Sequence, residues 1–166
     1  MQKGKPVVFS SVEEVADFLR PLRAGGKTLV TTNGCFDLLH TGHVKYLLEA
    51  ASLGDLLVVG INSDASVRKL KGISRPIQKG ADRAFLVASL KMVDCAFLFE
   101  EDDPRAFLEV LRPDIHVKGG DYLPERLPEK ETVEKHGGVI RMLNFEQGYS
   151  TSSIVDRIIK SAKQDV

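Results

Sequence analysis

Residues 56–61, LLVVGI, form an unbroken apolar run directly after the turn pair Gly54-Asp55. A strand that is apolar at every position has to be covered on both faces, and that is the habit of parallel sheets packed between helices. The rest of the chain supplies the matching alternation. Residues 28–32, 95–99, 115–118 and 139–143 read as further strands. Helical spacing fills the intervals: from Ser10 and Ser11, with Glu13 and Glu14 behind them, to about Arg23, then over 43–53, and from the cap Asn62-Ser63-Asp64 to about Leu70. Further helices are predicted over 82–92, from Pro104 to Leu111, over 128–136 and over 152–162, whereas 71–79 reads as a polar loop. The expectation is a single α/β domain with a five-stranded parallel sheet and helices on both faces. Residues 1–27 read as an N-terminal helical extension.

Composition agrees and narrows the function. At 166 residues, 43% hydrophobic and 28% charged, the chain can bury the core of one domain. A formal net charge of zero gives no basic surface for nucleic acid. Two cysteines without framework spacing, Cys35 and Cys95, suit a reducing compartment. No signal-peptide core and no membrane-length apolar run occurs, so a cytoplasmic protein with no membrane partner is expected.

Open parallel sheets bind ligands beyond the carboxyl ends of their strands. The chemistry-bearing residues fall there: 33–43 after the first predicted strand, 62–64 after the second, 118–122 after the fourth and 148–153 after the fifth. The first of these loops reads TTNGCFDLLHTGH over 31–43 and runs into a helix start. A helix N-terminus presents unpaired N–H groups and about half a positive charge, which suits phosphate. His40 and His43 flank Gly42 at that position, and two imidazoles there can donate to phosphate oxygens. Solvated polar residues at a helix start are the plain alternative. Zinc held with Cys35 and Asp37 is a weaker one, because neither Cys-x-x-Cys nor His-Glu-x-x-His is present. The dinucleotide and P-loop glycine patterns are also missing.

The stretch TNGCFDLLHTGHVKYLLEAASLGD, followed by GINSDASVRKLKG, RPI, DRAFLVASLKMVD, PDIHVKGGDY and LNFEQGYSTSSIV, resembles the His-x-Gly-His nucleotidyltransferases, the cytidylyltransferase-like group. The resemblance covers about residues 28–160, which would be the catalytic core of a Rossmann-like domain. VKGGDY and NFEQG-x-ST are similar to the group's heptose 1-phosphate adenylyltransferases. Cytidylyl transfer to glycerol 3-phosphate goes with Arg-Thr-Glu-Gly and Gly-Asp-Asp-Trp, where this chain has FEQG at 145–148 and GGDY at 119–122. The resemblance implies adenylyl transfer from ATP to D-glycero-β-D-manno-heptose 1-phosphate, with Mg²⁺ as the accompanying cation and no resident metal site. It also implies a free-standing form in lipopolysaccharide core synthesis, and a homodimer or higher oligomer.

By the same resemblance, His40, His43, Lys45 and Arg83 are the expected catalytic set, with Arg83 on the β- and γ-phosphates. Asn33, Gly34, Cys35, Phe36, Asp37, Gly42, Lys118, Gly120, Asp121, Ser150, Thr151 and Ser152 are expected to line the nucleotide. Asn62, Asp64, Arg68, Lys71 and Arg75 are expected on the sugar phosphate. Several have plainer readings. Lys45 can be a solvated lysine, Arg83 half of a surface ion pair, and residues 150–152 ordinary helix caps. Gly42 fits where a side chain would block phosphate or helix packing. Asp37 can fix its own loop through N–H groups instead of reaching Mg²⁺ through water. His116 reads as a core residue, Cys95 as inert and His136 as a helix-end residue.

Overall fold

The computed structural model describes residues 5–120, 124–144 and 148–164. In chain order the elements are β1 (Val8–Phe9), α1 (Val12–Ala24), β2 (Leu29–Gly34), α2 (Thr41–Ala51), β3 (Leu56–Asn62), α3 (Asp64–Lys71), α4 (Gly80–Ala88) and β4 (Cys95–Phe99). They continue with α5 (Arg105–Leu111), β5 (Ile115–Gly119), a 3-10 turn at Pro124–Arg126, α6 (Lys130–Glu134), β6 (Val139–Leu143) and α7 (Thr151–Gln164). The sheet runs β1-β4-β3-β2-β5-β6, and every pairing is parallel.

Six strands stand where five were expected. The extra one is β1, whose Val8 and Phe9 pair with Ala96 and Phe97 at the sheet edge. Residues 1–27 are therefore not wholly a helical extension. Two residues carry no period-2 pattern, so only the partner strand makes them a strand. The helix expected over 82–92 starts earlier, at Gly80, and stops at Ala88, and the one expected over 128–136 is reduced to Lys130–Glu134. α1 is capped by Ser11, whose hydroxyl accepts the Glu14 N–H, while the Glu14 carboxylate accepts from the Ser10 N–H and Oγ.

β3 shows why its apolar run is continuous. Leu57, Val59 and Ile61 face a core shared with Leu47 and Ala50 of α2 and Ala84 and Val87 of α4. Leu56 and Val58 face the opposite core, with Val15 and Leu19 of α1 and Phe107, Leu108 and Leu111 of α5. Successive side chains along a strand point to opposite faces, and here both faces are dry. Gly60 falls on the second face, where a Cβ would stand 3.3 Å from the Phe107 ring.

The strand order reverses beside β2. The chain lays β3 and then β4 on one side of it, and β5 on the other. The carboxyl ends of β2 and β5 therefore flank a topological switch point, the usual place for a ligand crevice. No helix among the described residues is long and apolar enough to cross a membrane.

Candidate functional site

The loop after β2 sets the centre of the site. His40 is the N-cap of α2, with extended backbone (φ −141°, ψ 169°), and its Nδ1 accepts the His43 N–H at 3.3 Å. An imidazole that accepts through Nδ1 carries its proton on Nε2 when neutral, so His40 keeps an outward donor. The His40 and His43 rings stack, with centroids 3.8 Å apart and planes 17° from parallel. The Phe36 ring lies 5.2 Å from that of His43, tilted by 54°. Phe36 has φ +45°, a left-handed conformation costly for an aromatic residue and one that collects at functional turns.

Two glycines make this stack possible. A Cβ on Gly34 would come within 2.9 Å of the Phe36 ring. A Cβ on Gly42 would stand 3.0 Å from His40 Nδ1 and 2.9 Å from the Tyr149 Cβ. What Gly42 spares is thus the His40 ring and the segment leading to α7. Tyr149 stacks near His40 at 6.4 Å, and the Lys45 ammonium lies 5.9 Å from the Tyr149 ring centre. The loops after β2 and β6 therefore meet over the start of α2.

Burial holds both histidines below their ordinary value of 6.5. His43 is pushed down to about 4, first by burial and then by the adjacent His40. At neutral pH the pair is uncharged, a state in which each ring donates from one nitrogen. His43 Nδ1 is buried with no hydrogen-bond partner.

The neighbouring loops are tied down by two side chains. Asp37, 2% exposed, accepts from the Ile77 N–H at 2.8 Å, the Gln78 N–H at 2.9 Å and Arg75 Nε at 2.6 Å. Both carboxylate oxygens are thereby occupied, which is the loop-fixing role, and Arg75 is spent on Asp37. Arg83 differs more from expectation. It is fully buried, at 0% exposure, and so is neither a surface ion pair nor open to a triphosphate. Its Nε donates to Gln78 O at 3.1 Å, its Nη1 to Cys35 O, and its Nη2 to Asn62 O at 2.8 Å and Asp64 Oδ1 at 2.7 Å. Arg83 acts here as a positioning residue that joins the ends of β2 and β3 to the segment before α4.

That arrangement settles several other side chains. Asp64 pairs with Arg83, and the Asn62 amide donates to Ser66 Oγ at 3.0 Å, so both support the loop from within. Arg68 and Lys71 are exposed at the end of α3. Lys71, Arg83 and Arg75 all draw the Cys35 thiol pKa down, but burial outweighs them and raises it.

Across the switch point, Lys118 Nζ on β5 donates to Asn33 Oδ1 of β2 at 3.0 Å and lies 2.8 Å from Glu129 Oε1. His116 is buried behind them, as expected of a core residue, and shares a 2.8 Å hydrogen bond with Thr31 Oγ1. Gly120, at φ +118°, donates its N–H to Leu143 O. Asp121 and residues 145–147 lie outside the described residues. Ser150 Oγ accepts the Ser153 N–H at 3.0 Å, so Ser150 caps α7, with Thr151 and Ser152 opening the helix. Sequence reasoning passed over Glu129 and Tyr149. Glu129 sits in PEKE, which reads as solvated charge, and no signal in the chain singles it out.

The profile of cytidylyltransferase-like proteins matches residues 31–157. The chain belongs to the cytidylyltransferase-like family. Within that family it is 51% identical over 152 residues to the bifunctional protein HldE of Syntrophotalea carbinolica, covering 92% of this chain and 31% of that protein. The HldE protein of Geobacter metallireducens is 48% identical over 151 residues, again 91% of this chain and 31% of the relative. The chain thus spans about a third of the length of these curated relatives. A lipopolysaccharide core biosynthesis protein from Thermoplasma volcanium superposes with a TM-score of 0.61 at 33% identity, covering 75% of this chain and 100% of that one.

Two outcomes follow for this family member. Arg83→Lys removes the fork that serves four acceptors and leaves at least one buried oxygen unpaired, so urea unfolding should show a loss of about 1–3 kcal/mol. Unchanged stability would show that the buried guanidinium is not needed. The histidines give a pH signature. Their folded pKa values lie below the unfolded one, so the folded chain binds fewer protons. Stability is then complete above about 6.5 and falls as pH drops toward 4. An NMR titration should place the His43 ring near pH 4, and a midpoint near 6.5 would contradict the buried stack.

Proposed function

We propose that this chain transfers the adenylyl group of ATP to D-glycero-β-D-manno-heptose 1-phosphate, giving ADP-heptose and pyrophosphate, in the cytoplasm. The observation that carries the transfer chemistry is the neutral, stacked His40–His43 pair at the N-terminus of α2. The acceptor's phosphate oxygen forms a bond to the α-phosphorus while the bond from that phosphorus to the bridging oxygen breaks. The electron pair leaves with pyrophosphate. Little covalent work falls to the protein in such a step, and fixed donors aimed at the developing charge do most of it. His40 Nε2–H and the His43 ring are those donors, and the N–H groups of α2 add to them.

In this reading the nucleotide lies on the side of β2 that faces β5 and β6. There Asn33, Gly34, Cys35, Phe36, Lys118, Gly120 and the start of α7 at Ser150, Thr151 and Ser152 surround it. Lys45 lies beside Tyr149, close enough to the α2 start to meet a phosphate. Exposed Arg68 and Lys71 face the acceptor from the other side, with Asp37 and Arg75 holding the floor of that loop. Mg²⁺ belongs with the triphosphate. Both Asp37 oxygens are already bound within the loop.

The choice of sugar is supported by about 50% identity to HldE proteins over most of the chain. The structural neighbour, a lipopolysaccharide core biosynthesis protein, and the VKGGDY and FEQG segments point the same way. Pyrophosphate release should be measured with ATP and CTP, each crossed with heptose 1-phosphate and glycerol 3-phosphate. Turnover is expected with ATP and heptose 1-phosphate. His43→Ala should lower it by about 100- to 1,000-fold, as removal of one such donor does. Turnover confined to CTP would contradict the substrate assignment, and an undiminished rate in folded His43→Ala would contradict the mechanism.

A further inference from the structure

Glu129 stands directly before α6, where an acidic side chain ordinarily caps the helix or interacts with its dipole in water. It makes no such cap. Its carboxylate instead is buried, 1% exposed. Burying a carboxylate costs several kcal/mol unless a partner compensates, so its place in the fold has to be explained by what it meets. It meets Lys118 Nζ at 2.8 Å, and His116 Nε2 at 4.0 Å. Burial, with Lys118 adding to it, drives the His116 pKa well down, so the imidazole is neutral and the charge partner of Glu129 is Lys118.

Lys118 in turn sits at the switch point between β2 and β5. One of its three N–H donors reaches Asn33 Oδ1 at 3.0 Å, and the ammonium is ion-paired to Glu129 Oε1 at 2.8 Å without hydrogen-bond geometry. The side chain is 21% exposed, so the ammonium is fastened from within and open on one side. A lysine held this way has lost the rotamer freedom that a flexible four-carbon stem would otherwise have to give up on binding.

We propose that Glu129 is a positioning residue for nucleotide binding: with Asn33 it fixes the Lys118 ammonium at the β2/β5 switch point so that a donor not given to Asn33 meets an anionic or carbonyl oxygen of the bound nucleotide. The inference rests on the proposed placement of ATP on the β5 side of the site. It explains why a carboxylate is buried beside a site for a polyanion. Glu129 orders the lysine, and Lys118 makes the contact.

Calorimetric titration of the full chain with MgATP tests this without requiring turnover. Lys118→Met and Glu129→Ala should each weaken ATP binding by about tenfold, the scale of one charge-assisted hydrogen bond. Glu129→Gln, which keeps an acceptor in place, should recover most of that loss. In a Lys118→Met background, Glu129→Met should change nothing further, because Glu129 acts only through Lys118. This last comparison also removes both charges together, so it stays informative where Glu129→Ala leaves Lys118 buried without its partner and fails to fold. Affinity in Glu129→Ala equal to or above that of the parent chain would overturn the proposal. So would a double variant that binds ATP more weakly than Lys118→Met alone. Absence of ATP binding by the parent chain would instead remove the nucleotide reading on which the inference stands.

Discussion

The site depends on one buried cation. Arg83 reaches Cys35 O after β2, Asn62 O at the end of β3, Gln78 O before α4, and the Asp64 carboxylate at the start of α3. A guanidinium taken fully out of water is costly unless its donors are matched. Only one arrangement of these segments provides all four acceptors, so the cation makes their positions interdependent. Cys35 O and Gln78 O lie outside the helices and strands and Asn62 O is at the last residue of β3, and Arg83 supplies a donor to each. Arg83 therefore does from inside the protein what a bound ligand would do from outside.

Asp37 extends the same frame. Its two oxygens gather the Ile77 and Gln78 N–H groups and Arg75 Nε, which fastens the segment before α4 to the loop after β2. With that loop fixed, Phe36 can stay in its left-handed turn and press on His43, and His43 can stack on His40. The opposite wing is built differently. There Lys118 spans β2 and β5 through Asn33 and Glu129, and Tyr149 brings the segment before α7 against His40. Both wings converge on the start of α2, where the two half-buried histidine rings lie.

Much of this was legible in the residues. The apolar run of β3, the alternation around it and the histidines at a helix start are local patterns, and the structure keeps each of them. β1 was not legible because two residues show no period and become a strand only beside β4. Arg83 and Glu129 were misread or passed over for a common reason. Charged residues in a helical stretch look solvated, and whether one points inward depends on acceptors far away in sequence, such as Cys35 O for Arg83 and Lys118 for Glu129. Gly42 was read as sparing phosphate or helix packing, whereas the atoms a Cβ there would meet belong to His40, in the loop itself, and Tyr149, from the far end of the chain.

A crystal structure of the chain with a non-hydrolysable ATP analogue tests the central claim most directly. The α-phosphate should lie within hydrogen-bond distance of His40 Nε2 and the His43 ring, with the adenosine toward Lys118 and α7. Arg83 should still hold Cys35 O, Asn62 O and Gln78 O. A triphosphate bound away from the histidine pair, or an Arg83 that leaves those carbonyls to reach it, would contradict the account.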